Sequence, residues 1–158
     1  MIVVSDTTPI HYLILIGKEF ILPSLFSEII IPDVVFVEMS HTNAPAAIRE
    51  WVAAKPNWAI TKSGSERFLQ KIIGLGKGET SAIAIAIEIG ADAILMDDRR
   101  AIREADKNGL KILTTFALLE LAAIEGLIDF GESIRELSKT NFHFPPDHIV
   151  EDYLLRNQ

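Results

Sequence analysis

The chain has 158 residues, of which 49% are hydrophobic and 23% are charged, and this composition predicts one globular domain rather than a disordered protein. It contains no cysteine, which excludes disulfides, zinc sites with thiolate ligands and cysteine nucleophiles. The formal net charge is −7, so the chain as a whole lacks the basic character typical of nucleic-acid-binding proteins. Any contact with nucleic acid must therefore use local basic patches.

Neither a membrane span nor a secretion signal is predicted. The longest apolar runs are far shorter than the roughly 20 residues that a membrane-spanning helix needs. The N-terminal residues, MIVVSDTTP, lack the basic segment and the small-residue cleavage site of a signal peptide. We therefore expect a cytoplasmic protein with no membrane partner.

The first half of the chain alternates short β-branched runs with helical patterns. Residues Ile2–Ser5 predict a buried strand. The helix that follows, over Ile10–Ile16, is expected to have a Thr N-cap and Pro9 in its first position. Further strands are predicted at Ile29–Ile31 and Trp58–Thr61, and further helices from Asp33 to Glu38, over Ala46–Ala54 and over Ser65–Ile73.

The second half continues this alternation. Residues Glu79–Ile89 are apolar nearly all round, which is typical of a helix buried between layers. The elements predicted after it are a strand at Ala93–Met96, a polar helix at Arg99–Lys107, a strand at Leu110–Leu113 and an apolar helix at Ala117–Gly126. The alternation predicts a three-layer α/β fold with a mainly parallel sheet, in a single domain over residues 1–158.

The C-terminal part, residues 127–158, is predicted to be helical and more polar, with a break at Pro145 and Pro146. Its segment from Ile149 to Leu154 has an apolar pattern that suits a docking helix. The pattern leaves open whether this helix docks on the core of the chain or on a second subunit.

Acidic side chains follow two of the predicted strands. Asp6 comes directly after the first strand, and Asp97 and Asp98 come directly after the strand at Ala93–Met96. Ligands of open parallel α/β sheets bind outside the carboxyl ends of the strands, so these acids are candidates for a functional site. The alternative is structural, because an Asp at a strand end can also cap the next helix.

Two further acids are candidates with weaker support. Glu79 opens the buried helix, where the helix dipole alone favours a carboxylate. The pattern leaves open whether Glu79 reaches the acids at the strand ends. Glu38 follows three valines and a phenylalanine on a half-buried helix, and an ordinary exposed glutamate is the alternative there.

Four segments of the chain, taken in order, resemble a known family. They are VVSDTTPIHYL (Val3–Leu13), IPDVVFVE (Ile31–Glu38), GKGETSAIAIA (Gly76–Ala86) and ADAILMDDRRAIREA (Ala91–Ala105). In order and spacing, over about the first 125 residues, they resemble the PIN domain, the fold of the VapC-type toxin ribonucleases. More narrowly, they are similar to a branch of small prokaryotic PIN-like proteins.

The resemblance implies an α/β/α sandwich in which four carboxylates converge and bind Mg²⁺ or Mn²⁺, ions that prefer oxygen ligands. The four are Asp6, Glu38, Glu79 and Asp97. Thr7 matches the Ser or Thr that PIN domains carry after the first acid. Toxin members usually have Asp where Glu79 stands, and the tandem acids leave the fourth ligand open between Asp97, which we prefer, and Asp98.

The activity that the resemblance implies is metal-dependent hydrolysis of RNA phosphodiester bonds. A role as the toxin of a toxin–antitoxin pair would add an antitoxin protein as a partner, and a homodimer is the assembly common in the family. The candidate RNA contacts are basic residues near the acids, with ordinary solvated helix faces as the alternative. They are Arg99, Arg100, Arg103 and Lys77, together with Arg67 and Lys71.

Two other functions are kept as alternatives. A haloacid-dehalogenase-like phosphatase would use Asp6, but that family usually has a second Asp at the position of Thr8 and a lysine that neither Lys71 nor Lys77 convincingly supplies. A non-catalytic PIN fold that serves as an interaction module is the other alternative. The presence of all four acids argues against that second alternative.

Overall fold

The computed structural model describes residues 1–158 and contains one sheet of five strands. The strands are β1 (Ile2–Ser5), β2 (Glu28–Pro32), β3 (Ala59–Lys62), β4 (Ala93–Leu95) and β5 (Ile112–Leu113). Their order across the sheet is β3-β2-β1-β4-β5, and every neighbouring pair is parallel. This arrangement confirms the predicted α/β fold.

Ten helices connect and cover the strands. They are α1 (Thr7–Leu15), α2 (Ile21–Leu25), α3 (Asp33–Met39), α4 (Ala46–Ala54), α5 (Glu66–Leu69), α6 (Lys77–Ile89), α7 (Arg99–Lys107), α8 (Thr115–Ile124), α9 (Phe130–Ser138) and α10 (Asp147–Arg156). None of them combines the length and the apolar character that crossing a bilayer requires.

The sheet separates two hydrophobic cores. Successive side chains of a strand point to opposite faces, so Val3 packs into a core of 23 buried residues and Val4 into a second core of 11. The larger core includes residues of α1, α3, α8 and α9, and the smaller one includes residues of α6 and α7. The result is the α/β/α sandwich that the resemblance implies.

Helix α1 begins earlier than predicted. It starts at Thr7 with Asp6 as the N-cap residue, so Pro9 occupies the third helical position rather than the first. The first N–H groups of a helix have no partner within the helix, and the missing N–H of Pro9 therefore costs nothing there. Because the helix begins at Thr7, only Asp6 separates its first residue from the end of β1.

Two other elements differ from the prediction. The helix expected over Ser65–Ile73 is a single turn, α5, and the short helix α2 was not predicted. After α5, Ile72 is buried but Lys71 and Ile73 are exposed, so no apolar face holds a further turn.

The C-terminal helix α10 docks on its own chain. The ring of Tyr153 stacks on Phe130, with centroids 5.9 Å apart, and meets the edge of Phe116 at 5.3 Å. Arg156 donates to both carboxylate oxygens of Glu120 in α8, at 2.7 and 3.1 Å. Of the two alternatives that the pattern left open, the structure therefore shows docking on the core of the same chain.

Candidate active site

Two of the candidate acids lie on adjacent strands, at the carboxyl edge of the sheet. The backbone N–H of Asp6, just past β1, donates to the carbonyl of Leu95 at the end of β4, at 2.9 Å. Asp97 lies two residues beyond Leu95. From β1 the chain passes to β2 and β3 on one side and returns to β4 and β5 on the other, so this edge is the topological switch point, where ligands of such sheets bind.

Helix α3 brings Glu38 to the same edge. Thr7 is the first residue of α1, and its hydroxyl donates to Oε2 of Glu38 at 2.9 Å. The pairing joins the turn after β1 to the helix after β2. Glu38 is therefore oriented by a neighbour in the site. It is also exposed, as the alternative interpretation of its sequence pattern expected.

Helix α6 begins at this edge, because it leads back to the start of the parallel strand β4. Its second residue, Gly78, is buried between the acids. A Cβ at this position would lie 3.3 Å from Oδ1 of Asp6, from Oε1 of Glu38 and from a methyl of Val35. The sequence showed Gly78 only as a break before the helix, and its signal as a site residue is that a glycine stands in the first turn of a helix whose middle is buried.

Glu79 stands next to this glycine in the first turn of α6. Its Oε2 accepts from the backbone N–H of Gly76 at 3.2 Å. A polar cavity of about 220 Å³ opens between these elements, and no hydrophobic residue lines it. Its lining residues are Asp6, Thr7, Thr8, Glu38, Gly76, Gly78 and Glu79.

Asp97 is held by a residue that the sequence did not single out for the site. Thr115 is fully buried, and its backbone N–H donates to Oδ1 of Asp97 at 2.9 Å while its hydroxyl donates to Oδ2 at 2.6 Å. Thr115 follows β5 at the same edge of the sheet. A signal that could have found it is the threonine pair at the exit of that strand.

Asp98 has a different environment from Asp97. Its Oδ1 accepts from the backbone N–H of Ala101 at 3.0 Å, which makes Asp98 the N-cap of α7. This is the structural use of a strand-end Asp that the sequence left open.

The local electrostatics penalise ionisation of the central acid. The pKa of Asp6 is raised to about 7, mainly because the side chain is buried, and a hydrogen bond from the backbone N–H of Thr7 opposes the increase. The negative charges of Glu79, Glu38 and Asp97 contribute to the same increase. Asp6 therefore lies in an environment that favours a bound proton or a compensating cation.

The pKa values of two other acids are also raised. Burial raises the pKa of Asp97, against the two hydrogen bonds from Thr115. Burial likewise raises the pKa of Glu79, the hydrogen bond from Gly76 lowers it, and the Asp98 charge adds to the increase. The side-chain atoms that could bind a metal here are all hard carboxylate or hydroxyl oxygens, the ligands that Mg²⁺ and Mn²⁺ prefer. No three acidic or histidine side chains already have the arrangement of a metal site.

The basic residues predicted to contact RNA have different surroundings in the structure. The Arg100 guanidinium donates to the carbonyl of Gly74 at 2.8 Å, and its charge lowers the pKa of Glu79. Arg99, Arg103 and Lys77 are exposed. Arg67 and Lys71 lie over the ring of Phe68, at 5.7 and 5.4 Å from its centroid.

Comparison with known proteins identifies the family. A family model described as a PIN domain matches residues 2–154, which is nearly the whole chain. No curated protein matches the sequence. The match confirms the resemblance carried by the four sequence segments, and the parallel α/β/α fold agrees with it. The chain therefore belongs to the PIN domain family.

Proposed function

We propose that the protein is a ribonuclease that depends on Mg²⁺ or Mn²⁺ and hydrolyses RNA phosphodiester bonds. The observation that carries the proposal is the convergence of three carboxylates from separate segments on one polar cavity, beside Asp97. The three are Asp6, Glu38 and Glu79. Membership of the PIN family, a nuclease-type fold, gives independent support.

Asp6 is the central metal ligand in this proposal. It is the buried acid, and the charges of all three other candidate acids act on it. A divalent cation would offset this repulsion, which explains why carboxylates are assembled where burial disfavours their ionised form. The carboxylates would have to close around the ion from their present positions, since no three are already arranged as ligands.

When bound, the ion supplies positive charge that stabilises the phosphodiester transition state and lowers the pKa of water. The side chains of the chain orient the ligands. Thr7 holds Glu38 through one carboxylate oxygen, so the other stays available to the cavity. Thr115 holds Asp97 through both oxygens, each of which keeps capacity for a further partner.

RNA must approach a chain with a net charge of −7. The negative charge of the site would be reduced by a bound divalent cation, and Arg99 and Arg100 lie next to Asp97 and Asp98 in the sequence. These arginines are the proposed phosphate contacts, with Lys77 and Arg103 as exposed additional ones. Arginine suits this role because its planar guanidinium pairs with phosphate oxygens.

The proposal is tested by incubating the purified protein with end-labelled single-stranded RNA in Mg²⁺, in Mn²⁺ and in EDTA. Cleavage in either metal and none in EDTA is the expected result. Cleavage that is unchanged in EDTA would contradict the proposal. RNA binding without any metal-dependent cleavage would instead favour the interaction module, and accumulation of a phosphorylated Asp6 would favour the phosphatase.

Replacing Thr115 with Val is expected to lower metal-dependent cleavage by about 10- to 100-fold, the usual effect of losing a group that orients a metal ligand. Valine keeps the shape of threonine but cannot donate to Oδ2 of Asp97. Initial rates over a range of Mn²⁺ concentrations measure the effect, and the control is the same substitution at an exposed threonine, Thr61→Val, on the edge strand β3. Equal rates for the two variants would show that Thr115 does not serve the site.

The two tandem acids are expected to respond differently to substitution. Asp98→Asn keeps an N-cap acceptor, so cleavage and stability should change little, whereas Asp98→Ala should cost about 1 kcal/mol of unfolding free energy. Asp97→Asn should strongly reduce cleavage while the fold persists. Cleavage rates and urea unfolding of the three variants measure this, and a larger loss of cleavage in Asp98→Asn than in Asp97→Asn would make Asp98 the ligand.

A toxin role, with an antitoxin partner and a homodimeric assembly, is a finer part of the same proposal. Its support is the resemblance of the four segments to the PIN domain, the fold of the VapC-type toxins. Induced expression in a bacterial host tests the toxin role: growth arrest by the wild type and normal growth with Asp6→Asn are expected. Light scattering of the purified protein tests the dimer.

A further inference from the structure

A second, larger cavity shares Asp97, Arg99 and Arg100 with the proposed site, and the function proposed above assigns no role to the rest of its lining. Its volume is about 540 Å³, within the range of small-ligand sites. Part of its lining comes from Asp97, Asp98, Arg99, Arg100 and Thr114. The other lining residues are Phe116, His143, Phe144, Pro145, Ile149 and Tyr153.

The aromatic side of this cavity is held in place by the core. Phe144 meets the edges of Phe116 and Phe142, with ring centroids 5.6 and 5.4 Å apart, and Tyr153 meets Phe116 at 5.3 Å. His143 is exposed at the cavity. The core therefore holds the rings of Phe144 and Tyr153 in place, and His143 stands exposed next to Phe144 in the chain.

The basic side of the cavity connects it to the acids. Asp97 lines the cavity, and its negative charge raises the pKa of Asp6 in the neighbouring cavity. Arg100 also lines the cavity, and its positive charge lowers the pKa of Glu79. Arg99 is exposed, with no ion pair inside the chain. A nucleic-acid strand whose phosphate lies at Asp6 thus has this cavity as the adjoining space.

We propose that this cavity is a subsite for one unpaired nucleobase of the RNA strand, next to the phosphodiester bond that is cleaved. The base lies against His143 and Phe144, and Arg99 contacts the phosphate of the same nucleotide. Aromatic rings and a nearby guanidinium are the groups that recognise splayed-out bases of single strands. This inference rests on the proposed ribonuclease function and adds to it the residues that receive one base of the strand.

The test is an equilibrium binding measurement that needs no catalysis. Fluorescence anisotropy in EDTA compares a labelled five-nucleotide RNA with the same ribose–phosphate chain without bases, which has the same charge. We expect the wild type to bind the RNA about 5- to 100-fold more tightly than the abasic chain, the range typical of stacking one base. RNA in a duplex should lose most of this advantage.

Variants locate the effect in the cavity. His143→Ala should reduce the preference for RNA over the abasic chain, while His148→Ala, an exposed histidine on α10 outside the cavity, should not. Arg99→Ala should weaken binding of RNA and abasic chain alike, and Arg103→Ala, outside the cavity, should do so less. Unfolding midpoints establish that each variant is folded.

The outcomes separate this inference from the function on which it rests. Equal binding of RNA and abasic chain, or equal effects of His143→Ala and His148→Ala, would overturn the subsite even if the protein cleaves RNA. A base preference that depends on His143, without metal-dependent cleavage, would support the subsite and contradict the ribonuclease proposal alone.

Discussion

Replacing Asp6 with Asn is expected to reduce metal-dependent RNA cleavage by about 1000-fold or more, because the ion contributes several kcal/mol of transition-state stabilisation and each 1.36 kcal/mol is a factor of ten. Asparagine keeps the size of the side chain but removes the central anionic ligand. Single-turnover rates in saturating Mn²⁺ measure the change. The result would identify Asp6 as the residue on which metal binding depends.

The control for this variant is Asp106→Asn, which changes an exposed acid on α7 and the net charge by the same amount. It should cleave like the wild type. Asp6→Asn should also be at least as stable as the wild type in EDTA, because it removes a buried charge that three neighbouring acids repel. Cleavage within tenfold of the wild type would exclude Asp6 as the central ligand.

The metal-free protein is expected to lose stability as the pH rises from about 4 to about 8. The folded-state pKa of Asp6 is raised from 3.8 to about 7, so between these values the folded state binds more protons than the unfolded state. Stability therefore falls with rising pH over this window, by up to roughly 4 kcal/mol in all. The raised pKa values of Asp97 and Glu79 act in the same direction.

Urea unfolding in EDTA at about pH 5.5 and about pH 8.5 measures this effect. The contribution of Asp6 between these two conditions is about 2 kcal/mol. Asp6→Asn should remove that part of the dependence, and Mn²⁺ should restore stability to the wild type at the higher pH by about 2.7 kcal/mol at 100 times its dissociation constant. The same pH dependence in wild type and Asp6→Asn would show that Asp6 ionises without penalty in the folded protein.

Much of the architecture was predictable from local patterns. Alternating β-branched runs and helical periods predicted the parallel sheet, and the apolar composition of α6 predicted a buried helix. Both predictions are confirmed. They succeed because the type and the burial of an element determine which neighbouring residues along the chain are apolar. The start of α1 was wrong by a few residues, since the N-terminal turn tolerates proline at several positions.

The candidate site was less predictable. Strand ends marked Asp6, Asp97 and Asp98, but Glu38 and Glu79 entered mainly through resemblance to a family. Thr115 and Gly78 were not identified as part of the site, because their roles are defined by partners far away in the chain. Thr115 lies 18 residues from the Asp97 side chain that it holds, and Gly78 is needed where α6 passes close to Asp6 and Glu38.

The sequence by itself therefore determined the element types, the parallel α/β class and the presence of acids at two strand ends. Only the tertiary structure decided which acids share a cavity, that Asp98 caps α7 while Asp97 is held by Thr115, and that α10 docks on its own chain. The physical reason is the separation along the chain between the residues that interact. Strand and helix patterns arise from contacts within a few residues, whereas a site and a docking surface are formed by residues that meet only after the sheet has ordered its strands.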